Sequence, residues 1–310
     1  MYKVCNLTNK GSIALSSLIE ALFNNIPSET FEVVGEISEA DTLLLYATVV
    51  GQLGQTDTEI HHPSAPAGHP LHFENIAETR TFIDGLLNQR KILLFDPLYY
   101  SPITAYPEYL TDTDIVINFS SLAPQGDNVF EWVGVEKRKF FQMHGVTRTP
   151  KTAVISADHA IRETELFNTM VEVLDKVYVT KDANFEHPSE KVKPLYLNHP
   201  GEIRELLNRV EFVVHLLDQK GPEILGIEGG LCGARPIYPG NNVYRDTYTN
   251  VKGVGLFDMS NPHDSLKDVL PSPSMEWYQT DYAEFVKKFA AENNVPALWK
   301  KIKASFDKQK

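Results

Sequence analysis

Short apolar runs alternate with amphipathic stretches along most of this 310-residue chain. Tyr2–Leu7 is apolar, and a polar turn Asn9-Lys10-Gly11-Ser12 follows it. Leu15, Leu18, Ile19, Leu22, Phe23 and Ile26 then recur at helical spacing, and Pro27 closes the helix. Phe31–Ile37 and Thr42–Val50 read as strands, the second apolar almost throughout, as a strand covered on both faces should be. Asn75–Gln89 has a helical stripe, Lys91–Phe95 and Asp114–Phe119 are strands, and Val135–Met143 reads as a short helix. A second alternating set begins at Thr152–Ser156. It continues with a helix from Asp158 to Leu174, a strand Lys176–Thr180, a strand Pro194–Leu197, a helix Gly201–Val210 and a strand Phe212–Leu217. Gly226–Cys232 is helical, Arg235–Tyr238 and Val254–Phe257 are strands, and after Pro271 two helical stripes close the chain. One contains Phe285 and Phe289, the other Leu298, Trp299, Ile302 and Phe306.

Two successive sets of βαβ units predict an α/β protein with two Rossmann-like domains and parallel sheets. The expected bounds are 1–150, 151–275 and a helical tail 276–310 that packs back on the first domain. In doubly wound sheets ligands bind at the carboxyl edge. That rule singles out Gly11, at the first strand-to-helix turn, and Asp96, which follows KILLF. Asp96 has two readings, a base toward a hydroxyl and a turn former before Pro97. Residues 51–73 are rich in Gly and Pro and carry His61, His62, His69 and His72, at spacings that match no compact metal site.

Composition adds limits. Hydrophobic residues make up 42% and charged residues 23%, which sets disordered and fibrous classes aside. No apolar run reaches the length of a membrane helix, no leader pattern opens the chain, and Cys5 and Cys232 make no disulfide framework. The expectation is a cytoplasmic protein without a membrane partner. Net charge is −12, and residues 1–150 hold 18 Asp/Glu against 9 Lys/Arg. Extensive nonspecific duplex binding by that half is therefore disfavoured, and a local patch such as Lys137-Arg138-Lys139 reads either as a solvated helix face or as a site of transient encounter.

The chemistry concentrates between Gln219 and Asp258. Glu223 and Glu228, the pair Gly229-Gly230, Arg235 and Arg245 lie within one stretch that includes a helix start. A carboxylate for ribose hydroxyls, free N–H groups at a helix N-terminus and nearby cations suit a nucleotide sugar. Tight packing of a glycine-bearing helix is the other reading.

From about residue 150 to 260 the element order resembles the donor-binding domain of GT-B glycosyltransferases, and EGGLCGARPIYP is similar to segments of bacteriophage-type members. The resemblance implies an acceptor-side domain over 1–150 and a donor-binding domain over 151–275 facing a central cleft, with the C-terminal helices crossing back, and a nucleotide-diphosphate donor, UDP-sugar first. By the same resemblance Glu228 holds the donor ribose, and Gly229 and Gly230 offer N–H groups to the diphosphate. Leu197-Asn198-His199 lies where the base is held, and Glu223 contacts the sugar. Arg162, Lys181, Arg235 and Arg245 are candidate cations for the diphosphate, and Asp96 is the acceptor base if the reaction inverts. The phage-type likeness implies a hydroxymethylated pyrimidine in DNA as acceptor. A protein or glycan acceptor, a UDP-sugar epimerase and a noncatalytic nucleotide-sugar binder are the alternatives.

Overall fold

The computed structural model describes residues 1–7, 13–46, 85, 91–96, 115–118, 129–180, 185–196, 199–217, 224–240, 248, 251, 253–270 and 277–308. The chain divides into two compact units, residues 1–134 with 291–310, and residues 135–290. The second unit thus begins before residue 150.

The first unit is built on a parallel sheet of β1 (Tyr2–Asn6), β2 (Phe31–Val34), β3 (Thr42–Tyr46), β4 (Lys91–Asp96), β5 (Ile115–Asn118) and β6 (Val129–Glu131). Its strand order is β2-β1-β3-β4-β5-β6, so the winding direction reverses between β1 and β3. Helix α1 (Ile13–Asn24) follows β1, and α8 (Ala291–Lys308) packs against it. Val295, Leu298, Trp299, Ile302 and Phe306 form the buried stripe of α8, and the Trp299 indole donates to the carbonyl of Leu22 at 3.1 Å. β6, only three residues long, has no signature in the sequence pattern, and the helix read over Asn75–Gln89 lies outside the described residues except at Gly85.

At the amino edge of this sheet the Tyr2 hydroxyl donates to Asp307 at 2.8 Å. Burial, that hydrogen bond and the charges of Asp307 and Asp41 push the phenol up to about 12. Because the folded state holds this proton more tightly, the stabilisation is whole below pH ~10 and is lost as pH rises toward 12. The expected result is a fall in unfolding midpoint across that alkaline window, flattened in Tyr2→Phe, read by denaturant titrations at stepped pH.

The second unit carries β7 (Thr149–Ser156), β8 (Lys176–Thr180), β9 (Val192–Leu195), β10 (Val210–Val214), β11 (Arg235–Pro239) and β12 (Gly255–Phe257). All pairings are parallel and the order is β12-β11-β10-β7-β8-β9. The helices of this unit are α2 (Ala157–Arg162), α3 (Thr164–Val173), α4 (Pro200–Arg209), α5 (Ile224–Leu231), α6 (Pro262–Val269) and α7 (Tyr282–Phe289). Every residue of β10 is buried, and Phe212, Val214, Ile155 and Ile237 belong to one core with Phe167 and Met170 of α3. The single helix read over Asp158–Leu174 is two, because Glu163 leaves helical geometry (φ −116°, ψ 52°). Val135–Met143 is a bridge and turn, not a helix, with buried Glu136 paired to Arg138 and, at 2.8 Å, to Lys139. Of the two terminal stripes, α7 stays in the second unit, where Phe285 and Phe289 pack on Tyr248, and only α8 belongs to the first.

Candidate functional site

In the second sheet the winding direction reverses between β7 and β10, the first and fourth strands of the unit. A parallel sheet binds ligands beyond the carboxyl ends of the strands at such a reversal. β7 ends at Ser156 and leads straight into α2, while β10 ends at Val214 and leads to His215. His159 of α2 and His215 meet there edge to face, ring centroids 4.1 Å apart, with 3% and 1% exposure. His215 also lies 5.8 Å from the ring of Tyr238, whose hydroxyl accepts from Tyr248 at 2.8 Å. Sequence reading passed over both histidines. They are 56 positions apart and only the topology joins them, although a histidine directly after FVV was a usable signal.

α5 follows β10, packs on β10 and β11, and so starts at the same carboxyl edge. Its N–H groups without intrahelical partners belong to the first turn, Ile224 to Ile227. Gly229 and Gly230 lie deeper, where the i→i−4 ladder takes their N–H groups, so the diphosphate role expected of them does not fit their place. Their lack of a side chain serves packing instead. A Cβ on Gly226 would overlap the Tyr238 hydroxyl, one on Gly229 would overlap Val213, and one on Gly230 would overlap the Phe285 ring. Beyond the helix, Gly233 adopts φ +89°, and Gly233 and Ala234 donate back to Gly230 and Gly229 at 2.9 Å each. This is a Schellman stop that only glycine makes without strain. Gly230→Ala gains about 1 kcal/mol of helix propensity. Overpacking against Phe285 costs about 1–3 kcal/mol, so the expected net result is a lower melting temperature by calorimetry.

Glu228 sits on α5 with 9% exposure, between two of these packing glycines. Cys232, one turn on, is buried, and burial followed by the charge of Glu228 pushes its thiol up to about 12, so it stays protonated and inert. Arg235 is half-buried and held by backbone carbonyls. Its Nε donates to the Gly253 carbonyl at 2.7 Å and Nη1 to that of Val269 at 3.2 Å, and burial lowers its pKa. It therefore ties β11 to the segment before β12 and to the end of α6, which is not the diphosphate role expected of it. Arg162 is exposed at the end of α2, with Asp158 at 3.5 Å, a surface pair that holds it weakly. Asp96 closes β4 at the carboxyl edge of the first sheet. Gly11, Lys181, Asn198, Glu223, Arg245 and the histidines of residues 51–73 lie outside the described residues. Of the basic triplet, Arg138 and Lys139 are both engaged by Glu136.

Among the described residues no group of three or more His, Cys, Asp or Glu is placed to hold a metal ion, and no helix is long and apolar enough to cross a membrane. No family model and no curated protein sequence matches the chain. Solved structures do. HepE of Anabaena, crystallised with UDP and glucose, is similar at a TM-score of 0.65 and 12% identity, over 98% of this chain and 100% of that one. AviGT4, a glycosyltransferase of avilamycin A biosynthesis, gives 0.57 and 12%, over 99% of each chain. A UDP-N-acetylglucosamine 2-epimerase of Listeria monocytogenes gives 0.52 and 12%, over 99% and 97%. The chain has the GT-B fold.

Proposed function

We propose that this protein is a glycosyltransferase that takes its sugar from a UDP-sugar bound at the carboxyl edge of the second sheet. The observation that carries the reading is the β7/β10 reversal with α5 starting beside it, in a fold shared with HepE, a protein that holds UDP and glucose. On this reading the first-turn N–H groups of α5 and its positive dipole end face the diphosphate. Glu228 accepts from the ribose hydroxyls, and Arg162 leaves its weak pair with Asp158 to meet phosphate oxygens. Fixed N–H dipoles and a cation stabilise the charge that grows on the departing UDP without having to reorganise.

Asp96 is the proposed base for the acceptor. The acceptor oxygen bonds to C1 of the sugar as the C1–O bond to the diphosphate breaks. The electron pair leaves with UDP and the proton passes to Asp96.

Calorimetric titration with UDP tests the donor half. Glu228→Gln should bind UDP about 10–100-fold more weakly, the value of a lost charge-assisted contact pair. Equal affinity in the two proteins removes Glu228 from the ribose. The epimerase likeness supports a second reading, and product analysis separates the two: a transferase releases UDP in step with the sugar it moves, whereas an epimerase that only inverts the sugar at C2 releases none.

A further inference from the structure

The outer face of α8 carries a charge pattern that neither the core nor the candidate site uses. Its buried stripe, with Trp299 and Phe306, packs into the first unit against α1. On the opposite side Ala297, Lys300, Lys301, Ala304 and Lys308 are exposed. At 3.6 residues per turn, Lys301 and Lys308 stand in one line two turns apart, about 10 Å, with Lys300 and Ala304 beside that line. Alanine between the lysines leaves nothing tall to hold a flat partner away.

These lysines stand against an acidic background. Residues 1–134 hold 17 Asp/Glu and 5 Lys/Arg, whereas residues 300–310 hold one Asp and 5 Lys. Half of the basic residues of the unit therefore lie in its last eleven positions. The simplest use of such a cluster is to pair with the unit's own acids, and the fold does not put it to that use. Lys303 pairs with Asp307, one turn on in the same helix. Among the described residues Lys300, Lys301 and Lys308 form no ion pair. Three outward charges remain.

We infer that this face of α8 docks the protein on an anionic lipid surface, by charge and without insertion. Lysines near such a surface are attracted to its headgroups over about a Debye length. The helix does not insert, because its apolar stripe already lies in the core, where the Trp299 indole donates to the carbonyl of Leu22. A chain without a membrane-spanning run can lie on a bilayer in this way. Nucleic acid is the other polyanion that lysines attract. Recognition there adds arginine forks, amides and aromatic rings that meet phosphates, sugars and bases. From Ala297 to Lys308 every exposed residue of α8 is Ala, Lys or Asp307, a set that suits a fluid plane of headgroups able to gather around fixed charges.

Co-sedimentation of the full chain with vesicles tests this. The probes are vesicles of phosphatidylcholine alone and vesicles with about a third phosphatidylglycerol, at about 0.1 M salt, where the screening length is about 10 Å. The protein should bind the mixed vesicles, leave the neutral ones alone and come off as salt is raised. Lys300→Ser and Lys301→Ser should each weaken binding about fivefold, the worth of one lysine at such a surface. Lys300→Glu, Lys301→Glu and Lys308→Glu combined should abolish it. Lys193→Glu, the same change on an exposed lysine of the second unit, should not. UDP affinity should be equal in all of these, so a failed donor site shows in the UDP titration and a failed docking face in the vesicles. Lack of binding to the mixed vesicles, equal binding to the neutral ones, or binding that survives the triple change overturns the inference. So does a DNA duplex that binds through the same three lysines and strips the protein from the vesicles, a result that assigns the face to nucleic acid.

Discussion

Arg148→Ala is expected to destabilise the second unit by about 2–4 kcal/mol, the cost of leaving several buried carbonyls without a donor. Arg148 precedes β7, at the amino edge of the sheet, away from the candidate site. Its Nη1 donates to the carbonyls of Leu207 at 3.0 Å and Val210 at 2.7 Å, and Nη2 donates to that of Cys232. One planar guanidinium thus closes the C-terminal ends of both α4 and α5, where carbonyls lack intrahelical partners and the dipole end is negative. Burial lowers its pKa, opposed by the neighbouring Tyr278, Cys232, Tyr282 and Glu211, and no carboxylate forms a salt bridge with it among the described contacts. Carbonyls rather than an acid therefore hold the charge. Arg148→Lys should recover only part of the loss, because an ammonium on a single stem cannot present the fork that spans both helix ends. Hydrogen exchange across α4 and α5 checks this. Protection that falls in Arg148→Ala and only partly returns in Arg148→Lys is the expected pattern, and unchanged protection in the alanine variant rules it out.

The same residues show how far the sequence could be read. Parallel strands buried on both faces leave near-continuous apolar runs, so KILLF, TAVIS, KVYVT and FVVHLL announced β4, β7, β8 and β10 at nearly their true places. The glycine segment after β10 was recognised as a helix, but not for what its glycines do. EGG spacing is the same whether N–H groups meet a phosphate or a helix must approach Val213 and Phe285 closely. Only three-dimensional neighbours separate those readings. Arg235 followed the same course: an arginine near a nucleotide motif is ambiguous until its Nε is seen on the Gly253 carbonyl. Short elements escaped for another reason. VFE of β6 and PHDSLKDV of α6 are too brief for a period to emerge, and each is held by packing against a neighbour, α6 by α3 and β12. The His159–His215 contact depends on strand order, which pairwise spacing along a chain does not encode.

Asp96→Asn should lower the rate of sugar transfer by about 10²–10⁴-fold, the usual worth of a positioned general base. The amide is close in size to the carboxylate and keeps a hydrogen-bond acceptor, but it cannot take a proton at neutral pH, so the loss isolates the proton transfer from simple binding. Its place supports the expectation: Asp96 closes β4, an inner strand of the first sheet, at the edge where ligands bind. Two readouts accompany the rate. In the wild type the acid limb of the kcat/KM profile reports the base as a carboxylate, and in Asp96→Asn that limb should disappear from whatever slow reaction remains. The product anomer is the second. A base that deprotonates the acceptor as it attacks from the face opposite UDP gives inversion, so NMR of the wild-type product should show the opposite anomeric configuration to the donor. Transfer at an undiminished rate in Asp96→Asn, with the donor configuration kept, would return Asp96 to its other reading, the turn former before Pro97, and would leave acceptor activation to the departing diphosphate itself.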